Sequence, residues 1–163
     1  MENYFNKVEQ RIPQESIEAY KKLESYLEQG YLLHGSKKQL EIIEPRQAKD
    51  DRDKRTAGNL LGVYATEDLN IAVLMALFAK KDLSKNGWRS GYSGDENNLL
   101  VSGENYTFTT GYVHVLPRES FEEITDEEGS SELVSLEPVM SVDVVKIDPT
   151  MFSLLKGVSI SEA

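Results

Sequence analysis

The chain has two histidines, His34 and His114, and no cysteine. Without thiols there is no disulfide, thiolate metal site or cysteine nucleophile. Two imidazoles with neither a His-x-x-x-His nor an Asp-x-Asp-x-Asp-Gly spacing argue against zinc and calcium chemistry. There is no Gly-x-Ser-x-Gly elbow, Walker-type loop or Gly-x-Gly-x-x-Gly turn, and His34-Gly35-Ser36 is not read as a base with its nucleophile. What remains is an ordered set. His34 closes the apolar run Tyr31-Leu32-Leu33-His34 and is followed by Gly35-Ser36. Tyr64 lies in Val63-Tyr64-Ala65-Thr66, and two late carboxylates, Glu132 and Glu137, stand in Glu132-Leu133-Val134-Ser135-Leu136-Glu137. An apolar strand ending in a polar residue and a glycine delivers that residue to the edge of a core, where a ligand can reach bare backbone. Such a set suits a polyol carrying a leaving group. The imidazole would donate to ribose hydroxyls, the tyrosine would stack on a planar heteroaromatic ring, and a carboxylate would hold a 2′-hydroxyl and stabilise an oxocarbenium-like transition state.

The elements that must position these residues are legible from periodicity. Pro13 suits a helix first turn, and Ile17, Tyr20, Leu23, Tyr26 and Leu27 follow at spacings of three and four, predicting a helix over 13–29 that Gly30 caps in αL. Strands are predicted at 31–34 and 61–65. A strongly apolar helix over 68–81 follows, N-capped by Thr66 or Asp68 and closed by Lys80 and Lys81 at its negative pole. Residues 35–59 lack a sustained period, and the charged run Lys49 to Arg55 reads as a solvated loop. Residues 84–97 also read as loop, with Trp88 packing it down and Arg89 and Tyr92 facing solvent. Strands are predicted at 99–102, 105–109, 111–116, 132–136 and 141–147, with a helical turn over 118–124. His114 reads as structural or solvent-facing, and the tail from Gly157 as frayed. Helices early and strands late give an α+β class in one domain, 1–163, with an N-terminal helix over 1–29, a core over 30–156 and the tail over 157–163.

The net charge of −10 repels phosphate backbones and anionic membranes, so non-specific nucleic-acid binding is not expected. The N-terminus lacks an apolar signal region, and the longest apolar stretch, Ile71 to Ala79, is too short to span a bilayer, so a cytoplasmic setting is expected.

Read together, Tyr31-Leu32-Leu33-His34-Gly35-Ser36, Leu40, Glu44-Pro45-Arg46 and Gly62-Val63-Tyr64-Ala65-Thr66-Glu67-Asp68 with Ala72 and Ala76 resemble the ADP-ribosyltransferase superfamily. The similarity is to its His-Tyr-Glu branch, which includes diphtheria-toxin-like and poly(ADP-ribose)-polymerase-like domains, and it covers residues 30–147. The resemblance implies a split β-sheet around an NAD cleft. His34 would bond the nicotinamide-side ribose, Gly35 would offer its backbone to the nicotinamide amide, and Tyr64 would stack on the ring. Glu132 would be the catalytic carboxylate, with Glu137 in reserve, and Ser36 and Arg46 would complete the cofactor contacts, Arg46 at the pyrophosphate. The activity implied is mono-ADP-ribosyl transfer from NAD, consumed as a substrate, to an unspecified acceptor. The alternatives are a catalytically silent nucleotide-binding or interaction module on the same scaffold, and RNA 2′-phosphotransferase-like chemistry, which would call for a basic groove.

Overall fold

The structure, a computed structural model, describes residues 12–47, 61–78, 89–92, 99–102, 108–125, 131–156 and 158–161. In chain order they form α1 (Gln14–Glu28), β1 (Leu32–Ser36), β2 (Ile42–Ile43), β3 (Arg46–Gln47), β4 (Leu61–Ala65), α2 (Leu69–Leu77), β5 (Arg89–Tyr92), β6 (Leu99–Ser102) and β7 (Gly111–Leu116). A 3-10 turn (Arg118–Ser120) leads to β8 (Glu122–Thr125), β9 (Ser131–Ser135), β10 (Val139–Met140) and β11 (Asp143–Ile147). A second 3-10 segment (Pro149–Leu154) precedes β12 (Val158–Ser161). The class is α+β, built on antiparallel sheets. One sheet has the order β1-β7-β11 and another β3-β4-β9-β8, while β2 pairs with β10 and a third sheet runs β12-β6-β5.

α1 ends where the sequence places its stop. Gly30 has φ +94, the Gly30 amide donates to Leu27 O at 3.0 Å, and the Tyr31 amide donates to Tyr26 O at 3.1 Å. This is a Schellman closure, and the Tyr26 and Tyr31 rings pack edge to face at 5.5 Å across it. α2 starts on Asp68, whose carboxylate accepts from the Asn70 and Ile71 amides at 2.9 and 3.4 Å. Lys80 and Lys81, the expected C-terminal charges of α2, lie outside the described residues. Its negative pole is met instead by Lys37, whose ammonium donates to Ala76 O, Leu77 O and Thr109 O at 2.5, 2.8 and 2.9 Å.

Several expectations are corrected. Residues 89–92 form a strand rather than loop, paired with β6. The helical turn expected over 118–124 stops at Ser120, because Glu122–Thr125 pairs with β9, a tertiary preference that local propensity does not carry. Two short strands interrupt the aperiodic 35–59 region. The tail is not simply frayed, since Val158–Ser161 pairs in parallel with β6. The strand expected over 141–147 is broken because the Ser141 amide donates to Glu41 O while the Val142 amide donates to Val115 O, both at 2.8 Å. One peptide thus hands the chain from the β2 pair to the β7 sheet. Of 105–109, Phe108 bridges Phe78 and residues 105–107 lie outside the described set, as do the Lys49–Arg55 run and Trp88. Among the described residues no helix is long and apolar enough to cross a membrane.

Two cores meet on β1. Leu33, Val113, Val115, Val145 and Ile147 pack with Leu23 and the buried side of α2. Leu32 and Leu116 point the other way and pack with Ile43, Val63, Ala65 and Val139. β1 therefore has no solvent face along its apolar half, which explains its unbroken hydrophobic run. The fit of α2 onto β1 and β7 requires two glycines. A Cβ on Gly35 would meet Ala72 O, with Ala76 N at 2.8 Å and Met75 Cβ at 2.9 Å. A Cβ on Gly111 would meet Ala76 O, with Ala76 Cα at 2.9 Å.

Helix backbone therefore lies directly on strand backbone, and neither side can yield by rotating a side chain. Gly35→Ala and Gly111→Ala should each cost about 3 kcal/mol, the upper end of ordinary overpacking. Gly30→Ala, with nothing within 4 Å of its Cβ, should lose only about 1–2 kcal/mol from left-handed strain. Thermal unfolding of the three variants checks that order; equal losses would contradict it.

Candidate functional site

β1 and β4 touch at one rung. The Leu33 amide donates to Thr66 O at 2.9 Å, and the Thr66 amide donates to Leu33 O at 2.8 Å. Residues two apart in a strand direct their N–H and C=O to the same side, so a continued antiparallel ladder would next join Gly35 to Tyr64. That rung is replaced. Tyr64 O is bonded to the His34 ring, with Nδ1 at 2.6 Å. A side chain has taken the acceptor that the Gly35 amide would have used, and the two strands diverge there. By strand alternation the Gly35 N–H and C=O lie with those of Leu33, on the edge of β1 opposite β7. Farther along the same edge of β4, Gly62 pairs with Arg46 of β3, so Tyr64 stands between two different neighbours.

Strand alternation distributes the candidate residues. Tyr64 lies opposite Val134 on β9, and Glu132 is two residues earlier, so Tyr64 and Glu132 share a face as diagonal neighbours. Such pairs lie about 7–8 Å apart, within reach of aromatic and long side chains. Arg46, opposite Gly62, belongs to this face too. His34 instead belongs with Leu32, on the side facing Ala65. His34 and the Tyr64–Glu132 pair therefore belong to opposite faces, and the seam between β1 and β4 separates them. Ser36 shares the His34 side and lies opposite Tyr112, and its hydroxyl accepts the Lys38 amide at 3.2 Å. Glu137 stands beyond the other end of β9 from Glu132. Its amide and carbonyl are tied to the Ser135 hydroxyl at 3.3 and 2.9 Å in a local turn. Tyr64 is half-buried and Glu132 exposed.

The protonation pattern of His34 follows from its partner. A carbonyl only accepts, so Nδ1 carries the proton. Burial lowers the pKa, and the nearby His114 and Arg46 lower it further, outweighing the opposing effect of the Tyr64 carbonyl. The ring is neutral near pH 7, with its Nε2 lone pair available. The Nδ1 proton is thus taken up by Tyr64 O, and the acceptor position of the neutral ring is Nε2.

His114 is buried and structural, not solvent-facing, and lies directly opposite His34 on β7. Its Nε2 accepts the Leu40 amide at 3.0 Å, so its proton sits on Nδ1, which donates to His34 O at 3.2 Å. Burial lowers its pKa against the opposing effect of the His34 carbonyl. The sequence gives Lys37 no role and places His114 only as structural or solvent-facing. The visible signal was alternation in Gly111–Leu116, which puts His114 on the face of Tyr112 and Leu116; only the pairing register sets it against His34.

No family model, curated protein or solved structure matches the chain.

Both histidines have folded-state pKa values below the ordinary value of 6.5. Between the folded and unfolded values the unfolded chain binds more protons, so stability rises with pH through that window. Their contribution is complete above about pH 6.5 and is lost as pH falls below it. Melting temperature measured from pH 7.5 to 5 should therefore decline before the carboxylates titrate. His114→Phe should flatten that decline, and an equally steep one in the variant would refute the assignment.

Proposed function

We propose that the chain binds NAD in the opening between β1 and β4, cleaves the nicotinamide–ribose bond and transfers ADP-ribose to an acceptor. The observation that carries this reading is the replaced rung. The His34 ring occupies Tyr64 O at 2.6 Å, and strand alternation puts the Gly35 amide and carbonyl on the same edge of β1. A carboxamide is complementary to that pair, since its oxygen accepts from an N–H while its NH₂ donates to a C=O. The order along the strands supports the same reading: His34 on β1, Tyr64 on β4, and Glu132 second in β9. This is the arrangement the ADP-ribosyltransferase resemblance calls for, with a split sheet as its expected fold.

In this reading the carboxamide docks on Gly35 and the pyridinium ring stacks on Tyr64. The neutral Nε2 of His34 accepts from a ribose hydroxyl, and Arg46 lies on the face where a pyrophosphate would run. The C1′–N bond breaks with its electron pair going to the nicotinamide nitrogen, which becomes neutral. Positive charge develops on the ribose ring, where Glu132 opposes it and holds the 2′-hydroxyl. The acceptor then forms its bond to C1′ and gives up a proton, for which Glu132 is the nearest base in the proposed set.

A catalytically silent nucleotide-binding module is the second reading, favoured by the exposure of Glu132. A carboxylate in contact with bulk water is a weaker electrostatic stabiliser than one held in a dry cleft.

Purified protein incubated with NAD should release nicotinamide, and Glu132→Gln should slow release about 10²–10³-fold while NAD still binds. Tyr64→Ala should weaken binding measured by calorimetry. Binding without release supports the silent module. Neither binding nor release by the wild type, with candidate acceptors present, would overturn both.

A further inference from the structure

The replaced rung works only if the β1 backbone is held while the His34 ring reaches across to β4. The contacts that hold it converge on the other histidine. His114 is fully buried, at 0% exposure, in the middle strand of the β1-β7-β11 sheet, directly opposite His34 on one side and Val144 on the other. The two rings lie 5.9 Å apart at an interplanar angle of 63°. Both nitrogens of the His114 ring are committed to backbone, Nδ1 to His34 O at 3.2 Å and Nε2 to the Leu40 amide at 3.0 Å.

We infer that His114 is a positioning residue for the proposed NAD site, tying the His34 main chain to the start of the segment that carries Arg46. This rests on the functional reading above, and its physical core stands without it. Leu40 and Glu41 are pinned at three points. His114 holds the Leu40 amide, the Ser141 hydroxyl donates to Leu40 O at 3.1 Å, and the Ser141 amide donates to Glu41 O at 2.8 Å. From there the chain runs through β2 to Arg46, whose guanidinium is close enough to His34 to disfavour its protonation. A neutral imidazole suits this place because it offers one donor and one acceptor at separate corners of a rigid ring. Aspartate and glutamate lack the donor, and a purely apolar residue would leave the Leu40 amide unsatisfied.

The role differs from core filling in what it predicts for His34, and the two-histidine chain gives a simple imidazole spectrum. In ¹⁵N NMR of the wild type without ligand, both rings should be Nδ1–H. A through-hydrogen-bond coupling should join His114 Nε2 to the Leu40 amide. His114→Phe removes both ring bonds, and His114→Gln can keep an acceptor for Leu40 while losing the donor to His34 O. In either variant the His34 ring should lose its fixed Nδ1–H pattern and drift toward averaged tautomers. His114→Asn, with a donor near the Nδ1 position, should restore the pattern.

An Nε2–H tautomer at His114 in the wild type overturns the inference whether or not any variant folds. So does an unchanged His34 pattern in folded His114→Phe or His114→Gln. Calorimetric titration with NAD on the same proteins separates the two readings. Weakened binding in the variants that loosen His34, with wild-type binding intact, supports both. A wild type that ignores NAD but shows the tautomer dependence removes the functional proposal and leaves the positioning role standing.

Discussion

A carbonyl on the edge of a β-strand has an ordinary partner, the amide of the next strand. At Tyr64 that partner is the His34 side chain, at 2.6 Å. The rest of the candidate site depends on this exchange. It stands where the next rung of a β1–β4 ladder would lie, one step past the Leu33–Thr66 pair. It also fixes the proton of His34 on Nδ1. An unpaired backbone group buried in a sheet is costly, so a sheet opens without penalty only where a side chain or a ligand takes over the missing bonds. Here the His34 side chain takes the acceptor that the next strand amide would have used.

The surrounding fold holds that local exchange from three directions. α2 presses its backbone onto Gly35 and Gly111. The Lys37 ammonium ties the chain just after β1 to the C-terminal carbonyls of the same helix. On the far side of β7, α1 is joined to β11 through Asp143, which accepts from Tyr26 at 2.7 Å and pairs with Lys22 at 2.9 Å. Burial raises the Asp143 pKa, but the bonds from Lys22, Tyr26 and the Val144 amide outweigh it and leave the carboxyl below its ordinary value.

Much of this was legible before any coordinates. The α1 stop at Gly30, the strands around His34 and Tyr64, and the buried helix after Asp68 follow from signals within a few residues of one another. The parts that were not legible depend on distant partners. The strand at Glu122–Thr125 exists because β9 pairs with it, and its run of acidic residues gives no β signal of its own. The tail strand depends on β6 in the same way. His114 looked like one polar residue in an apolar strand, and its role appears only when β1 is laid against it in register. The placement of Glu132 and Glu137 also depends on register. Glu132 lies within β9, opposite Ile124 and by alternation on the face of Val134 and Tyr64, while Glu137 lies beyond the strand.

The close seating of α2 has a consequence for how this sequence can vary. Gly35 and Gly111 meet the helix at the backbone of Ala72 and Ala76, so two glycines form a single steric specification shared by three separate segments. Neither glycine can grow, and shortening a helix side chain makes no room, because Ala72 and Ala76 are met at backbone atoms. A library that probes the proposed site should therefore leave both glycines untouched and draw its diversity from Ser36, Arg46 and the residues flanking Glu132.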